Sequence, residues 1–143
     1  MDLSSIQPHL SSLGYREGVY SDLCTFTRTF PMFFISFDPF HGQTLARASG
    51  MIDIPARMAI GISIWIPKEF PFSSPIIYIH IPANHQCNPN SFIDQNGLYR
   101  RASLAQWGTG GGQMQGEQTL GSAVREVYSF LVHSFPFSPM GNH

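Results

Sequence analysis

The stretch 65–79, WIPKEFPFSSPIIYI, decides how the chain is read. Its left end closes an isoleucine-rich run that begins at Ala59, and its right end opens another at Ile76. Between them stand Pro67, Pro71 and Pro75, each lacking a backbone N–H and fixing its own φ, so neither helix nor central strand can pass through. Two strands joined by a proline-built turn are expected, over 59–66 and 76–81.

Upstream, residues 32–37 and 46–54 share this strand character, rich in Ile, Phe and Met. The segments 38–42 (DPFHG) and 55–57 (PAR) read as the turns between them. Sequential strands with short turns make an antiparallel meander. Residues before Phe30 read as two helical pieces. Ser4 and Ser5 can cap the first, which carries Ile6, Leu10 and Leu13, accepts Pro8 in its first turn and ends at Gly14. The second, over about 16–29, places Val19, Leu23, Phe26 and Phe30 on one face before Pro31 stops it. Residues 67–75 and 82–97 are too rich in proline for regular structure. From Thr119 to about Phe135 a last helix carries Leu120, Ala123, Val124, Val127, Phe130 and Leu131 on one face. Helices, meander, irregular crossing and terminal helix make an α+β domain, and 143 residues suffice for one domain, 1–143.

Composition excludes several classes. Eight basic against nine acidic residues leave a net charge of −1, and Arg100-Arg101 is the nearest thing to a basic run. A nucleic-acid partner is not expected, because phosphate contacts require clustered Lys and Arg. Two cysteines, Cys24 and Cys87, lack metal-ligand spacing and are too few for a disulfide framework, which points to a reducing, cytoplasmic setting. The start MDLS has no signal-peptide pattern and no apolar run is long enough to span a bilayer, so direct membrane insertion is not expected, and work at a membrane is expected through a partner or through parts of a longer chain.

Few residues announce chemistry. The run GTGGGQ at 108–113 lacks the Lys-Ser/Thr of a phosphate loop and reads as part of a glycine-rich surface loop, 108–118. Histidines 9, 41, 80, 85, 133 and 143 are scattered, with Pro82 between His80 and His85, and no metal or other cofactor is expected. Cys87, with His85 two residues away, could serve as a nucleophile beside a base, or be an inert loop cysteine.

A second stretch, 94–107, DQNGLYRRASLAQW, narrows the reading. Together with Phe70-Pro71-Phe72-Ser73-Ser74-Pro75-Ile76, the Asp94-Gln95-Asn96-Gly97 turn and Leu104-x-x-Trp107 resemble ubiquitin-conjugating enzymes. Ser74 stands where those enzymes carry the first of two prolines. The similarity is nearest to the ubiquitin-conjugating-enzyme variant (UEV) domains of the ESCRT-I sorting subunit. It implies the conjugating-enzyme fold without the last two helices of active enzymes, in keeping with a chain that stops soon after Phe137. By the same resemblance Arg100 occupies the place of the catalytic cysteine, and a guanidinium cannot act as a nucleophile. A loop slipped by one residue would place Tyr99 or Arg101 there, with the same result. The upstream His-Pro-Asn of the enzymes is represented at best by Asn88-Pro89-Asn90. A non-enzymatic domain is expected.

What the resemblance implies is two binding surfaces. Ubiquitin is expected on a β-hairpin tongue at 37–42, with Phe37, Pro39 and Phe40, and on the sheet face of Trp65, Tyr78 and His80. Alone, Trp65 reads as a core residue, although its alternation with Ile64 and Ile66 allows an outward one; the family position turns it outward. Pro-Thr/Ser-Ala-Pro-like peptides are expected between the next hairpin and the tail, at Met51, Ala56, Met58, Ala59, Phe135, Pro136 and Phe137. For Met51, Met58 and Phe135 core packing is the competing reading. The implied role is endosomal, multivesicular-body protein sorting by a cytoplasmic protein recruited to endosomes, with other ESCRT subunits bound through regions outside this chain. The alternative is a cofactor of an active conjugating enzyme in polyubiquitin chain formation.

Overall fold

The computed structural model describes residues 4–70, 72–88, 92–100 and 119–139. The glycine-rich run at 108–118, Leu104 and Trp107 lie outside the described residues.

Helix α1 (Gln7–Leu13) and helix α2 (Glu17–Thr29) are followed by strands β1 (Phe34–Phe40), β2 (Gln43–Asp53), β3 (Ala59–Ile66) and β4 (Ile76–Ile79). Strand β5 (His85–Cys87), helix α3 (Leu120–His133) and strand β6 (Phe137–Pro139) complete the described elements. Strands β1 to β4 form one antiparallel sheet in sequence order, and β5 pairs with β6 in a separate ribbon. The meander and the mixed α+β architecture expected from sequence are present.

Alternation in β3 explains the core. Ile60, Ile62, Ile64 and Ile66 all point to one face and are at most 1 % exposed. They meet Val19, Leu23 and Phe26 of α2 and Leu120, Val124, Val127 and Leu131 of α3 in one apolar cluster. Burying a large aliphatic side chain is worth about 1.5–3 kcal/mol, so this isoleucine row is the main anchor of helices on sheet. Tyr15, between α1 and α2, ties the layers further through a hydroxyl set between β2 and β3.

Several boundaries differ from those read in the sequence. The first strand does not give way to a turn at Asp38 but continues through Phe40, and the turn shrinks to His41-Gly42. Both residues have positive φ, 49° and 84°, as a tight two-residue hairpin turn demands. Pro39 is tolerated because β1 is an edge strand. Ile54 N–H bonds Met58 C=O in the β2–β3 register, so even-numbered β2 residues bond β3 and odd-numbered ones bond β1. Pro39, opposite Thr44, therefore faces the open edge, where its missing N–H costs no ladder bond.

Helix α1 begins without a serine cap; Ile6 holds the N-cap position with no side-chain bond, while Pro8 does sit in the first turn. Helix α3 is capped by Thr119, whose hydroxyl accepts the Ser122 N–H at 3.1 Å while Ser122 Oγ accepts the Thr119 N–H at 3.0 Å. It stops at His133, short of Phe135. The ribbon of β5 and β6 has no counterpart in the sequence reading, which gave 82–97 no regular structure. Three residues pairing with a partner some fifty positions away leave no local periodicity to read.

Candidate functional site

The face of the sheet turned away from the helices is built by register. Directly opposed residues of an antiparallel ladder share a face. Phe34, Ser49, Ser63 and Tyr78 thus form one row across all four strands, and Ser36, Arg47, Trp65 and Ile76 the next. Met51, Gly61 and His80 make a third row, with His80 N–H bonded to Gly61 C=O at 2.8 Å.

Trp65 lies on this outer face and yet is only 9 % exposed. Phe40 from the tongue packs on its ring with centroids 4.7 Å apart, and the Arg47 guanidinium lies 5.0 Å from the ring centroid. Arg47 is fixed by an ion pair with Asp38 at 3.0 Å, and Asp38 also accepts the Ser36 hydroxyl at 2.7 Å. Tongue and sheet are therefore one surface, joined by an aromatic pair and a charged pair. Arg47 Nε and Ser49 Oγ are buried on it without a hydrogen-bond partner.

His80 shares a 2.9 Å hydrogen bond between Nε2 and Ser63 Oγ. Burial, and secondarily the Arg47 charge, hold its pKa below the ordinary imidazole value, so the ring is neutral near neutral pH. A Cβ at Gly61 would come within 2.8 Å of this ring, which the glycine's missing side chain leaves room for.

Of the residues expected to contact ubiquitin, the structure gathers Phe40, Trp65, Tyr78 and His80 on this face. Phe37 and Pro39 alternate to the other side, where Phe37 stacks on His9 of α1 at 4.4 Å between centroids. Phe34 and Arg47 are outer-face residues that were not singled out from sequence. Phe34, 54 % exposed in the same row as Tyr78, was detectable from alternation once the strand start was fixed. Arg47 carried no local signal, because its partner Asp38 belongs to another strand.

The second candidate site lies at the tip of the β2–β3 hairpin. Arg57 N–H donates to Ile54 C=O at 2.9 Å, closing a turn with Pro55 and Ala56 at its corners. Ala56 has φ +61°, a conformation glycine or asparagine usually supplies. The Arg57 guanidinium sits 4.6 Å from the centroid of the Phe135 ring, which brings the hairpin tip to the tail. Asn88 fastens that tail: its N–H donates to Pro136 C=O at 2.7 Å, its side-chain amide reaches Phe135 C=O at 3.5 Å, and Ser138 donates to its side-chain oxygen.

Among the expected peptide contacts, Ala56, Met58 and Phe135 lie at or beside this junction. By strand alternation Met51 and Ala59 project from the outer face of the hairpin, the former 55 % exposed. Pro136 and Phe137 are buried, and Phe137 packs edge-on to Phe135 at 5.6 Å. Arg57 was passed over in the sequence because only its stacking on a residue far along the chain gives it significance.

No nucleophile is prepared in either place. Arg100 is exposed and its backbone N–H bonds Phe92 C=O at 2.7 Å. The Cys87 thiol donates to Asp94 C=O at 3.6 Å, and burial together with the Asp94 charge raises its pKa, the reverse of what an activated thiolate needs. His85 Nδ1 is bonded to Ala83 C=O rather than to the thiol. Among the described residues no group of three His, Cys, Asp or Glu side chains could hold a metal, and no helix is long and apolar enough to cross a membrane.

A family model for the UEV domain matches residues 5–139. The chain belongs to the UEV domain family. UEV domains are non-catalytic variants of the conjugating-enzyme fold, so the absence of a prepared thiolate is in keeping with the family. Two solved structures share this UEV fold. The yeast Vps23 UEV domain in complex with a Vps27 PSDP peptide superposes with a TM-score of 0.67 at 20 % identity, covering 99 % of this chain and 92 % of that one. A complex of the Vps23 UEV with ubiquitin gives 0.66 at 19 % identity, covering 99 % of each chain. No curated protein sequence matches this UEV domain.

Proposed function

We propose that this UEV domain is a non-catalytic adaptor that binds ubiquitin on its outer sheet face and a proline-containing peptide at the hairpin–tail junction. It would act in ESCRT-I endosomal sorting as a cytoplasmic protein recruited to endosomes. The observation that carries the reading is the joined tongue and sheet: Phe40 on Trp65, Arg47 clamped by Asp38, and Phe34 and Tyr78 aligned in the next row. An apolar platform with a few fixed polar groups suits a shallow protein patch, since binding energy concentrates in aromatic and arginine anchors. By the resemblance to conjugating enzymes Arg100 would stand in the place of the catalytic cysteine, which favours a fold kept for recognition. Support for both ligands also comes from the Vps23 UEV structures, which hold ubiquitin and a PSDP peptide.

For the peptide, the junction offers Met58, Phe135 and the Ala56 turn, an apolar surface that can take up an extended proline-rich segment at small entropic cost. Titration of isotope-labelled protein tests both parts. Ubiquitin should shift resonances of Phe34, Trp65 and Tyr78, and a Pro-Ser-Asp-Pro peptide should shift those of Arg57, Met58 and Phe135. Met58→Arg should abolish the peptide shifts and spare the ubiquitin ones. A single shared set of shifts, or none, would refute the two-surface reading.

A further inference from the structure

Arg57 holds an unusual position at the hairpin tip. It is exposed, its guanidinium lies 4.6 Å from the centroid of the Phe135 ring, and among the described residues no carboxylate forms an ion pair with it. The ion pair Arg47–Asp38 lies away from it, on the sheet face. Asp53, at the end of β2 opposite Ala59, is the nearest acid along the hairpin and does not pair with Arg57. We propose that Arg57 sets the specificity of the peptide site, selecting a proline-flanked segment that carries an acidic residue over a neutral one. The proposal rests on the reading of the hairpin–tail junction as the peptide site.

Three features favour this role over simple packing of the tail. A guanidinium stacked on an aromatic ring keeps its N–H donors at its rim, so stacking and carboxylate binding coexist on one side chain. The ring also restrains the long arginine, and less side-chain entropy is lost when a carboxylate arrives. Met58 and Phe135 beside it are apolar, so Arg57 brings a positive charge to an otherwise apolar part of the junction. A neutral peptide would lie across a cation left without a partner, whereas an acidic peptide would neutralise it. Charge complementarity at an exposed rim of this kind tunes selectivity rather than supplying the bulk of affinity.

The test uses three peptides matched outside the centre, Pro-Ser-Asp-Pro, Pro-Ser-Asn-Pro and Pro-Thr-Ala-Pro, titrated against the domain and against Arg57→Gln and Arg57→Lys. The aspartate peptide should bind roughly fivefold tighter than the asparagine peptide at low salt, the upper range for an exposed charge pair. The gap should close in about 1 M salt, where the screening length falls to a few ångströms. Arg57→Gln should erase the gap between the aspartate and asparagine peptides, while Arg57→Lys, which keeps the charge, should retain part of it. Equal binding of the aspartate and asparagine peptides to the unaltered domain would overturn the assignment while leaving the peptide site standing. A gap that survives in Arg57→Gln would overturn it too, by pointing to another cation. Failure of all three peptides to bind would remove the site itself, and Arg57's role with it.

Discussion

The phenol of Tyr15 donates its proton to the carbonyl of Ile66 at 2.6 Å. The same oxygen accepts the N–H of Ala46 at 2.8 Å, so one hydroxyl closes the β2–β3 pair at Ala46 and Ile66 in place of a ladder bond. It does so from the helical side of the molecule, 8 % exposed, and thereby fixes where the helices meet the end of the sheet on which Trp65 stands.

Tyr15→Phe preserves the ring and strands both backbone groups in an apolar setting. Leaving a buried donor or acceptor unsatisfied costs about 1–3 kcal/mol, so a loss near the middle of that range is expected. Urea unfolding should show a lower midpoint with an unchanged slope. An unaltered midpoint would mean that water reaches the gap and replaces the hydroxyl.

Gly97 sits hard against the backbone of Ile79. Its φ is +91°, and a Cβ there would lie 2.4 Å from Ile79 C=O. The Asn96-Gly97 turn is held by Asp94, which accepts N–H bonds from Asn96 and Leu98 at 2.8 and 3.0 Å, and it lays Gly97 along the outer edge of β4. Gly97→Ala should therefore cost more than the ~1–2 kcal/mol of left-handed strain alone, because the Ile79–Gly97 hydrogen bond must lengthen as well. Hydrogen exchange at Ile79, whose N–H donates to Gly97 C=O at 2.7 Å, should accelerate in the variant. Protection equal to that of the unaltered domain would contradict the clash.

Much of this architecture was legible in the sequence for a simple reason. The isoleucines of 59–66 sit on a proline-bounded segment of strand length, and the apolar spacing of 119–131 is helical, so local pattern and tertiary role agree. The places that escaped the reading are those where the deciding partner is distant. Asp38-Pro39 looks like a turn until the open edge of β1 makes the proline harmless. Strand β5 exists only because the tail pairs with it, and Arg57 matters only because Phe135 lies beneath it. Trp65 alone read as a core residue and only the resemblance turned it outward; it lies on the outer face yet is nearly buried, because Phe40 and Arg47, which nothing local revealed, close over it.

Asp22 joins α2 to α3 by accepting the N–H of Leu120, the first residue of α3, at 3.2 Å. Burial raises its carboxyl above the ordinary range, and the Leu120 bond offsets this only in part. A folded-state pKa above the unfolded value means that the folded protein holds the proton more tightly. Its contribution is then fully present at low pH and is lost as pH rises through the raised value. Asp22→Asn keeps an acceptor for Leu120 and removes the desolvated charge. At about pH 7 it should equal or exceed the parent in stability, with the advantage gone at about pH 3. Asp22→Ala, which deletes the acceptor, should instead lose roughly 0.5–2 kcal/mol, the range for a helix cap. An asparagine variant weaker than the parent at neutral pH would show that attraction between the ionised carboxylate and the helix terminus outweighs its desolvation.

Phe34 gives the cleanest probe of the outer face. Trp65 is packed by Phe40 and Arg47, so truncating it to alanine would cost on the order of 3 kcal/mol in stability, and a loss of binding would then be ambiguous. Phe34 is 54 % exposed and shares its row with Ser49, Ser63 and Tyr78. Surface substitutions away from special backbone features usually change stability by no more than about 0.5 kcal/mol, so Phe34→Ser should unfold at nearly the parent's midpoint. If the sheet face is the ubiquitin surface, the same variant should bind ubiquitin at least about fivefold more weakly, the effect of losing one anchor worth more than 1 kcal/mol. Peptide affinity at the hairpin–tail junction should stay unchanged. A folded Phe34→Ser domain with the parent's ubiquitin affinity would confine any ubiquitin contact to the tongue end of the face, around Phe40 and Asp38.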